Sequence, residues 1–252
     1  MIILKAIILV ITITLITLVI YFPKEYYVTK GFTYPNNKKA AYISSWDDTS
    51  NISSFEKIAN ITNPKNIPLT LFISTKHLND SNINRYKKLL RNNNVIESHT
   101  VSHVKSKYND NSEYIESQKQ IQQLFGNKYG KTICYPFGKY PSNKETQNII
   151  NKIYLAGRSI KYGCMKKDSN LYRLPVIPIE KMNTDIIEEA ILNNYTIITY
   201  GHGIKGIGGW IPIEEDKFKC HIKELCKYKN DIWFTTLPEL MLYLKRTKQI
   251  NN

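Results

Sequence analysis

The segment AAYISSWDDT, residues 40–49, decides the fold. Seven small or apolar residues end in a tryptophan and are followed at once by two aspartates, Asp47 and Asp48. The run reads as a strand, and the pair stands at its carboxyl end. Adjacent carboxylates repel each other and desolvate poorly, so a pair at the edge of a core is either a solvated turn or a site.

The same punctuation recurs outward from this segment. Strand-like runs are PLTLFIS (68–74), VIESHT (95–100), KTICYPF (131–137), YLAGRS (154–159), RLPVIPI (173–179), YTIITYGH (195–202) and IWFTTL (232–237). Between most of them lie segments of helical period, such as 83–92, 112–125, 184–194 and 238–246. Strands alternating with helices argue for a parallel sheet. Seven or eight such units in roughly 215 residues suit a (β/α) barrel, complete or incomplete, better than an open sheet. In either architecture the chemistry belongs in the loops after the strands, where Asp47 and Asp48 fall.

The formal net charge of +14 comes from scattered lysines, which reads as a solvated face. Attraction to an anionic surface, such as a phosphorylated glycan or a lipid headgroup layer, is the sharper alternative. No nucleic-acid motif is present, and no nucleic-acid partner is expected. Residues 6–22, AIILVITITLITLVIYF, carry no charge and would span about 26 Å as a helix. No small-x-small cleavage site follows, which favours an uncleaved signal-anchor over a cleaved signal peptide. The expected organisation is therefore a transmembrane helix over 1–23, a linker over 24–39 and a catalytic domain over 40–252. The domain is expected on the extracytoplasmic side, or secreted if the signal is cleaved. In an oxidising compartment the four cysteines can pair. Cys220 and Cys226, however, are six apart on a helical stretch, about 9 Å and too far for a bridge.

Five histidines occur, and two of them, His99 and His103, stand four apart in SHTVSH just past a strand end. Both imidazoles can face one ion from a single turn. With one carboxylate they form a facial triad that leaves positions for water and substrate. The neighbouring carboxylate diverges from that ion and is available as a base. His202, in TYGHGI at a third strand end, is a candidate general acid, because imidazole titrates near neutrality. His77 and His221 lack such a context and are expected at the surface.

SSWDDT, HTVSH, CYPFG and YGHG, in this order and at these spacings, resemble the successive motifs of the polysaccharide deacetylases, the NodB-homology domains of carbohydrate esterase family 4. The resemblance runs from about Ala40 to Lys245. It implies a distorted (β/α) barrel that binds one divalent ion, usually zinc, and removes acetyl groups from N-acetylated or sometimes O-acetylated sugars. Imidazole and carboxylate ligands also suit cobalt, manganese or iron. By this resemblance Asp48, His99 and His103 hold the metal and Asp47 deprotonates the attacking water. His202 protonates the departing amine, and the Phe137 N–H helps to stabilise the oxyanion. An O-acetyl polysaccharide esterase and a catalytically impaired glycan-binding homologue are the alternatives.

Three positions depart from the pattern. Thr49 stands where the family usually has glycine, and no aspartate near YLAGRSIKYG pairs with His202. Cys134 stands where many members carry an arginine that orients the base. Arg158 or Arg173 is expected to fill that vacancy, with a guanidinium within about 4 Å of Asp47 or another site carboxylate. Cys134 itself is expected to be an inert buried thiol.

Overall fold

Every strand-to-strand connection but one carries an α-helix in the computed structural model, which describes residues 31–47 and 52–250. The hydrophobic stretch 6–22, Asp48 and Thr49 lie outside the described residues. The elements run β1 (Ala40–Asp47), α1 (Ile52–Thr62), β2 (Leu69–Ile73), α2 (Asp80–Leu89), β3 (Val95–Ser98), α3 (Asn111–Phe125), β4 (Thr132–Cys134) and α4 (Lys144–Ile153). They continue with β5 (Ala156–Tyr162), β6 (Leu174–Pro178), α5 (Thr184–Asn193), β7 (Thr196–Gly201), α6 (Glu215–Lys227), β8 (Ile232–Phe234) and α7 (Leu237–Arg246). No helix connects β5 to β6.

All the strand pairings are parallel, and β1 to β7 form a ring closed by β1 against both β2 and β7. Register shows why the barrel is distorted. The upper half of β1, Ser44–Asp47, pairs with β2, whereas its lower residues Ala40–Tyr42 pair with β8. The eighth strand is thus wedged between β1 and β2 at the bottom only.

In-register residues of parallel strands point to the same face. The pairs Ile43↔Ile198, Asp47↔Phe72, Phe72↔Glu97 and Cys134↔Arg158 therefore line the interior. Ala41, Ile43, Phe72, Leu174, Val176 and Ile198 fill it, and Leu237, Leu240, Met241 and Leu244 of α7 close the floor together with Phe32 and Tyr34. Those last two residues are buried although they lie in the segment expected as a linker. The outer face, with Tyr42, Trp46, Leu69, Leu71 and Ile96, packs against the helices.

The abundance of asparagine serves the ends of these elements. Asn79, Asn143 and Asn183 cap α2, α4 and α5 through side-chain oxygens that accept backbone N–H groups, and Asp110 does so for α3. Asn66, Asn93 and Asn194 take left-handed conformations at the turns that lead into β2, β3 and β7.

Among the described residues no helix is long and apolar enough to cross a membrane. The four cysteines form no disulfide among the described residues, with Cys220 and Cys226 both on α6. His221 corrects one expectation: it is half-buried between α6 and the outer face of β1, its Nε2 2.9 Å from the Tyr42 hydroxyl. Burial lowers its pKa to about 4.

Candidate active site

β1 delivers Asp47 to the top of the barrel because Trp46, one residue earlier, is locked on the outer face. Its indole N–H donates to Ser44 Oγ at 2.9 Å, and its ring meets Phe218 edge-on at 5.2 Å. Alternation then turns Asp47 inward, where it is almost fully buried. Its Oδ1 accepts from Arg158 Nη2, its Oδ2 lies 3.9 Å from His202 Nε2, and Cys134 Sγ approaches the same oxygen at 3.6 Å. Burial alone would raise the Asp47 pKa. The positive charge of Arg158, followed by His99 and His202, more than offsets that, so the carboxyl is held below its usual range.

The β3 end carries the two histidines on a strained turn. Thr100 and His103 have φ of 66° and 54°, a region costly for non-glycine residues. The turn is tied down on several sides. Glu113, at the start of α3, accepts from Ser102 N at 2.8 Å and Ser102 Oγ at 2.6 Å. Thr100 O accepts from Thr75 N, and Thr100 N donates to Ser98 Oγ. The His99 and His103 rings end 4.7 Å apart, centroid to centroid. His99 Nδ1 lies 2.8 Å from the Cys134 carbonyl oxygen. A carbonyl can only accept, so Nδ1 carries the proton and Nε2 is the nitrogen that can bind an ion. This tautomer and the paired rings fit a divalent metal. Asp48 lies outside the described residues, so the third expected ligand is not placed.

The donor atoms of Asp47, His99 and Cys134 also lie within 4.8 Å of one another. The Arg158 guanidinium sits in that corner, 2.8 Å from Cys134 Sγ as well as against Asp47. A fixed cation there opposes a second one. The histidine pair is the better seat for a metal.

The β4 end forms the turn Pro136–Gly138, with Phe137 at φ 57°. Its ring is 55% exposed and lies 4.7 Å from the His103 ring. Its N–H makes no hydrogen bond among the described residues, whereas the Gly138 and Lys139 N–H groups close the turn on Tyr135 O and Pro136 O. The β7 end presents His202 between two glycines that packing requires. A Cβ on Gly201 would fall 2.6 Å from the Trp46 ring, and one on Gly203, at φ 150°, would fall 2.2 Å from Gly208 O.

Of the two arginines weighed from sequence, Arg158 reaches Asp47. Arg173 stands over the Tyr140 ring, with 5.3 Å from Cζ to the centroid, and pairs with no described carboxylate. Two features escaped the sequence reading. Cys134 touches both Asp47 and Arg158. Glu97, on the inner face of β3, is a second fully buried carboxyl. A glutamate inside an otherwise apolar strand was the available signal for it. Beside the site, a groove of about 950 Å³ extends from Gly138 past Ile160 and Tyr162 to Arg173.

Residues 34–156 match the family model for polysaccharide deacetylase. No curated protein matches the sequence. Solved structures of similar fold include a Mycobacterium smegmatis protein assigned to the polysaccharide deacetylases (TM-score 0.59, 12% identity, covering 88% of this chain and 95% of that one). The peptidoglycan N-acetylglucosamine deacetylase Bc1960 is another (TM-score 0.52, 18% identity, 83% of this chain and 91% of that one). A third is a Bacillus anthracis pseudoenzyme of carbohydrate esterase family 4 (TM-score 0.53, 13% identity, 82% of this chain and 66% of that one). At these identities the structures establish the fold. The family likeness rests on the matched stretch, just under half of the chain, which holds Asp47, His99, His103, Cys134 and Phe137 and is similar to the polysaccharide deacetylases.

Proposed function

We propose that the protein is a metal-dependent hydrolase that removes acetyl groups, chiefly N-acetyl groups, from a polysaccharide. One observation carries the reading: an ionised, buried Asp47 faces His202 at 3.9 Å, on a barrel end that also holds a histidine pair with an Nε2 oriented for an ion. A divalent ion held by His99 and His103, with Asp48 as the expected third ligand, would polarise the acetyl carbonyl and acidify water; zinc suits these donors, as do cobalt, manganese and iron.

The chain's own residues supply the rest. Asp47 takes the proton of the attacking water, with its basic form maintained by Arg158. The Phe137 N–H donates to the carbonyl oxygen as negative charge develops on it. His202, beside Asp47, returns a proton to the departing nitrogen, a step that an amide needs more than an ester does. The open groove beside the site and the exposed faces of Phe137 and Tyr162 suit an extended chain of sugars. The hydrophobic stretch 6–22 would anchor this domain on the extracytoplasmic face, where such polymers lie.

Two other readings share the architecture. An O-acetyl esterase would use the same groups and depend less on His202. A glycan-binding protein without turnover is favoured by one feature, the cysteine at position 134, and has a fold precedent in the Bacillus anthracis pseudoenzyme. Acetate release from N-acetylglucosamine oligomers and from acetylated xylan, with elemental analysis of the same preparation, separates the three. The proposal expects release from the oligomers by metal-loaded protein. Release from xylan alone would favour the esterase, and glycan binding with no release the third reading.

A further inference from the structure

The two ends of the barrel hold charge differently. Asp47, His99 and His202 stand at the carboxyl ends of the strands, and the segments that enter the strands make the opposite end, the floor. Those leading into β1, β2, β3 and β4 carry Lys38 and Lys39, Lys65, Arg91, Lys128 and Lys131, and no acid. α7 closes the same end, and its last turn with the residues just after it adds Lys245, Arg246 and Lys248. This end of the chain is fixed to the floor by Gln249, whose side chain bonds both the N–H and the carbonyl oxygen of Thr33, at 2.7 and 2.8 Å. Acids are few here: Asp168 and Asp231, each within two residues of a lysine, and Glu239, which accepts from Thr235 Oγ1 at 2.8 Å. On the flanks of the barrel cations are neutralised in pairs, as in Lys57–Glu215, Arg85–Glu56 and Lys219–Glu215. None of the floor cations named above is in an ion pair among the described residues. Unpaired like charges repel one another, and their field reaches about 10 Å into solvent, so this face suits a polyanion.

The apolar neighbours decide which polyanion. Leu242 of α7 is 53% exposed, and Trp233 and Tyr243 are half-buried, their rings 5.2 Å apart and Arg246 Cζ 5.9 Å from the Tyr243 ring. With Arg91 and Lys128 they line a floor groove of about 1,200 Å³. An exposed leucine, amphipathic rings and arginines together match the headgroup region of a bilayer, whereas a soluble polyanion has no use for the leucine. The path of the chain points the same way. Phe32 N donates to Asn194 O at 2.8 Å at the turn between α5 and β7, so the chain enters the barrel at its floor. The uncharged stretch 6–22 ends nine residues before Gly31, a reach of about 30 Å at most.

We propose that the barrel floor docks on an anionic lipid leaflet, which turns the end that holds Asp47 away from the bilayer. The inference rests on the anchored reading above for its tether and goes beyond it by assigning a second, electrostatic attachment. Each basic side chain near such a leaflet strengthens attachment about fivefold, and salt weakens it. The full-length protein in nanodiscs tests this through the rate at which individual lysines are acetylated by an amine-reactive reagent, read by mass spectrometry. In discs with about one third phosphatidylglycerol, Lys128, Lys245 and Lys248 are expected to react at least about fivefold more slowly than in phosphatidylcholine discs, with Lys105 and Lys181 at the opposite end unchanged. Salt at about 0.5 M should abolish the difference. Arg91→Glu combined with Lys128→Glu and Arg246→Glu should remove the protection of Lys245 and Lys248; the three glutamine substitutions serve should the glutamates not fold.

Equal labelling rates in the two kinds of disc overturn the proposal, as does protection that survives in the triple variant. So does protection by soluble polyphosphate that anionic discs do not give, which would assign the floor to a polymer. Should the chain stay out of both discs, the anchored reading fails, and the same comparison with preformed phosphatidylglycerol and phosphatidylcholine vesicles decides the inference. Labelling is independent of turnover, so absence of acetate release would count against the deacetylase reading alone.

Discussion

Asp47 and Glu97 stand on opposite sides of one phenylalanine. The registers Asp47↔Phe72 and Phe72↔Glu97 place the two acids on β1 and β3 with β2 between them, both pointing into the same barrel and both buried. Their charge states are nevertheless opposite. Asp47 has a guanidinium on one oxygen and is held ionised. Glu97 makes no ion pair among the described residues: its Oε2 accepts from the Thr132 N–H and, at 2.9 Å, from Thr132 Oγ1, and its Oε1 has no hydrogen-bond partner among the described residues. Burial pushes its pKa up to about 8, despite the hydrogen bonds from Thr132 and the charge of Lys131. The difference teaches that burial alone makes a carboxyl neutral and inert in this interior. The arginine from β5 is what turns one of two buried acids into a base.

The sharpest way to break the comparison is to neutralise the charged member. Asp47→Asn should lower kcat about 1,000-fold or more in protein that still binds its metal, read by acetate release beside elemental analysis. Glu97→Gln, the same change at the neutral member, should leave kcat within about 3-fold and change stability instead. The folded-state pKa of Glu97 is raised from 4.5 to about 8, so between these values the unfolded chain has released a proton that the folded chain retains. Stability therefore falls as pH rises through this window, by about 3 kcal/mol between pH 4.5 and 7. Urea titrations across the window should show that slope in the wild type and a flatter one in Glu97→Gln. An equal slope in both would mean that Glu97 is ionised in the fold.

His202 sharpens the comparison from the other side, since it faces Asp47 and not Glu97. His202→Ala should cost about 100-fold in kcat on an N-acetyl substrate and less on an O-acetyl ester, whose leaving group needs less protonation. A smaller effect is expected at His221, a half-buried titratable group on α6. Its folded-state pKa is depressed from 6.5 to about 4, so its contribution is fully present above pH 6.5 and is lost as pH falls toward 4. Allowing for its partial exposure, about 2 kcal/mol should vanish over that range, and His221→Gln should remove this acid dependence in thermal melts.

Much of the site could be read from the chain because strand period and motif spacing are local. Apolar runs that end in Asp47, His99 and His202 announce strand ends, and the architecture brings strand ends together. What could not be read depends on closure of the ring. Nothing local to YLAGRS or RLPVIPI says which of Arg158 and Arg173 crosses the interior to Asp47, 111 positions from Arg158. Nor does VIESHT say that Glu97 is sealed between β2 and β4, or the α6 sequence that His221 lies under Tyr42. The half-strand role of β8 likewise follows from register, which alternation alone does not specify.

The most direct measurement of the central claim is a joint titration of acetate and free amine from an N-acetylglucosamine oligomer treated with metal-loaded protein. Hydrolysis of an N-acetyl group by this site predicts the two in equal amounts, with both lost on metal removal and in Asp47→Asn. An oligomer that binds to the metal-loaded protein and yields neither product would contradict it.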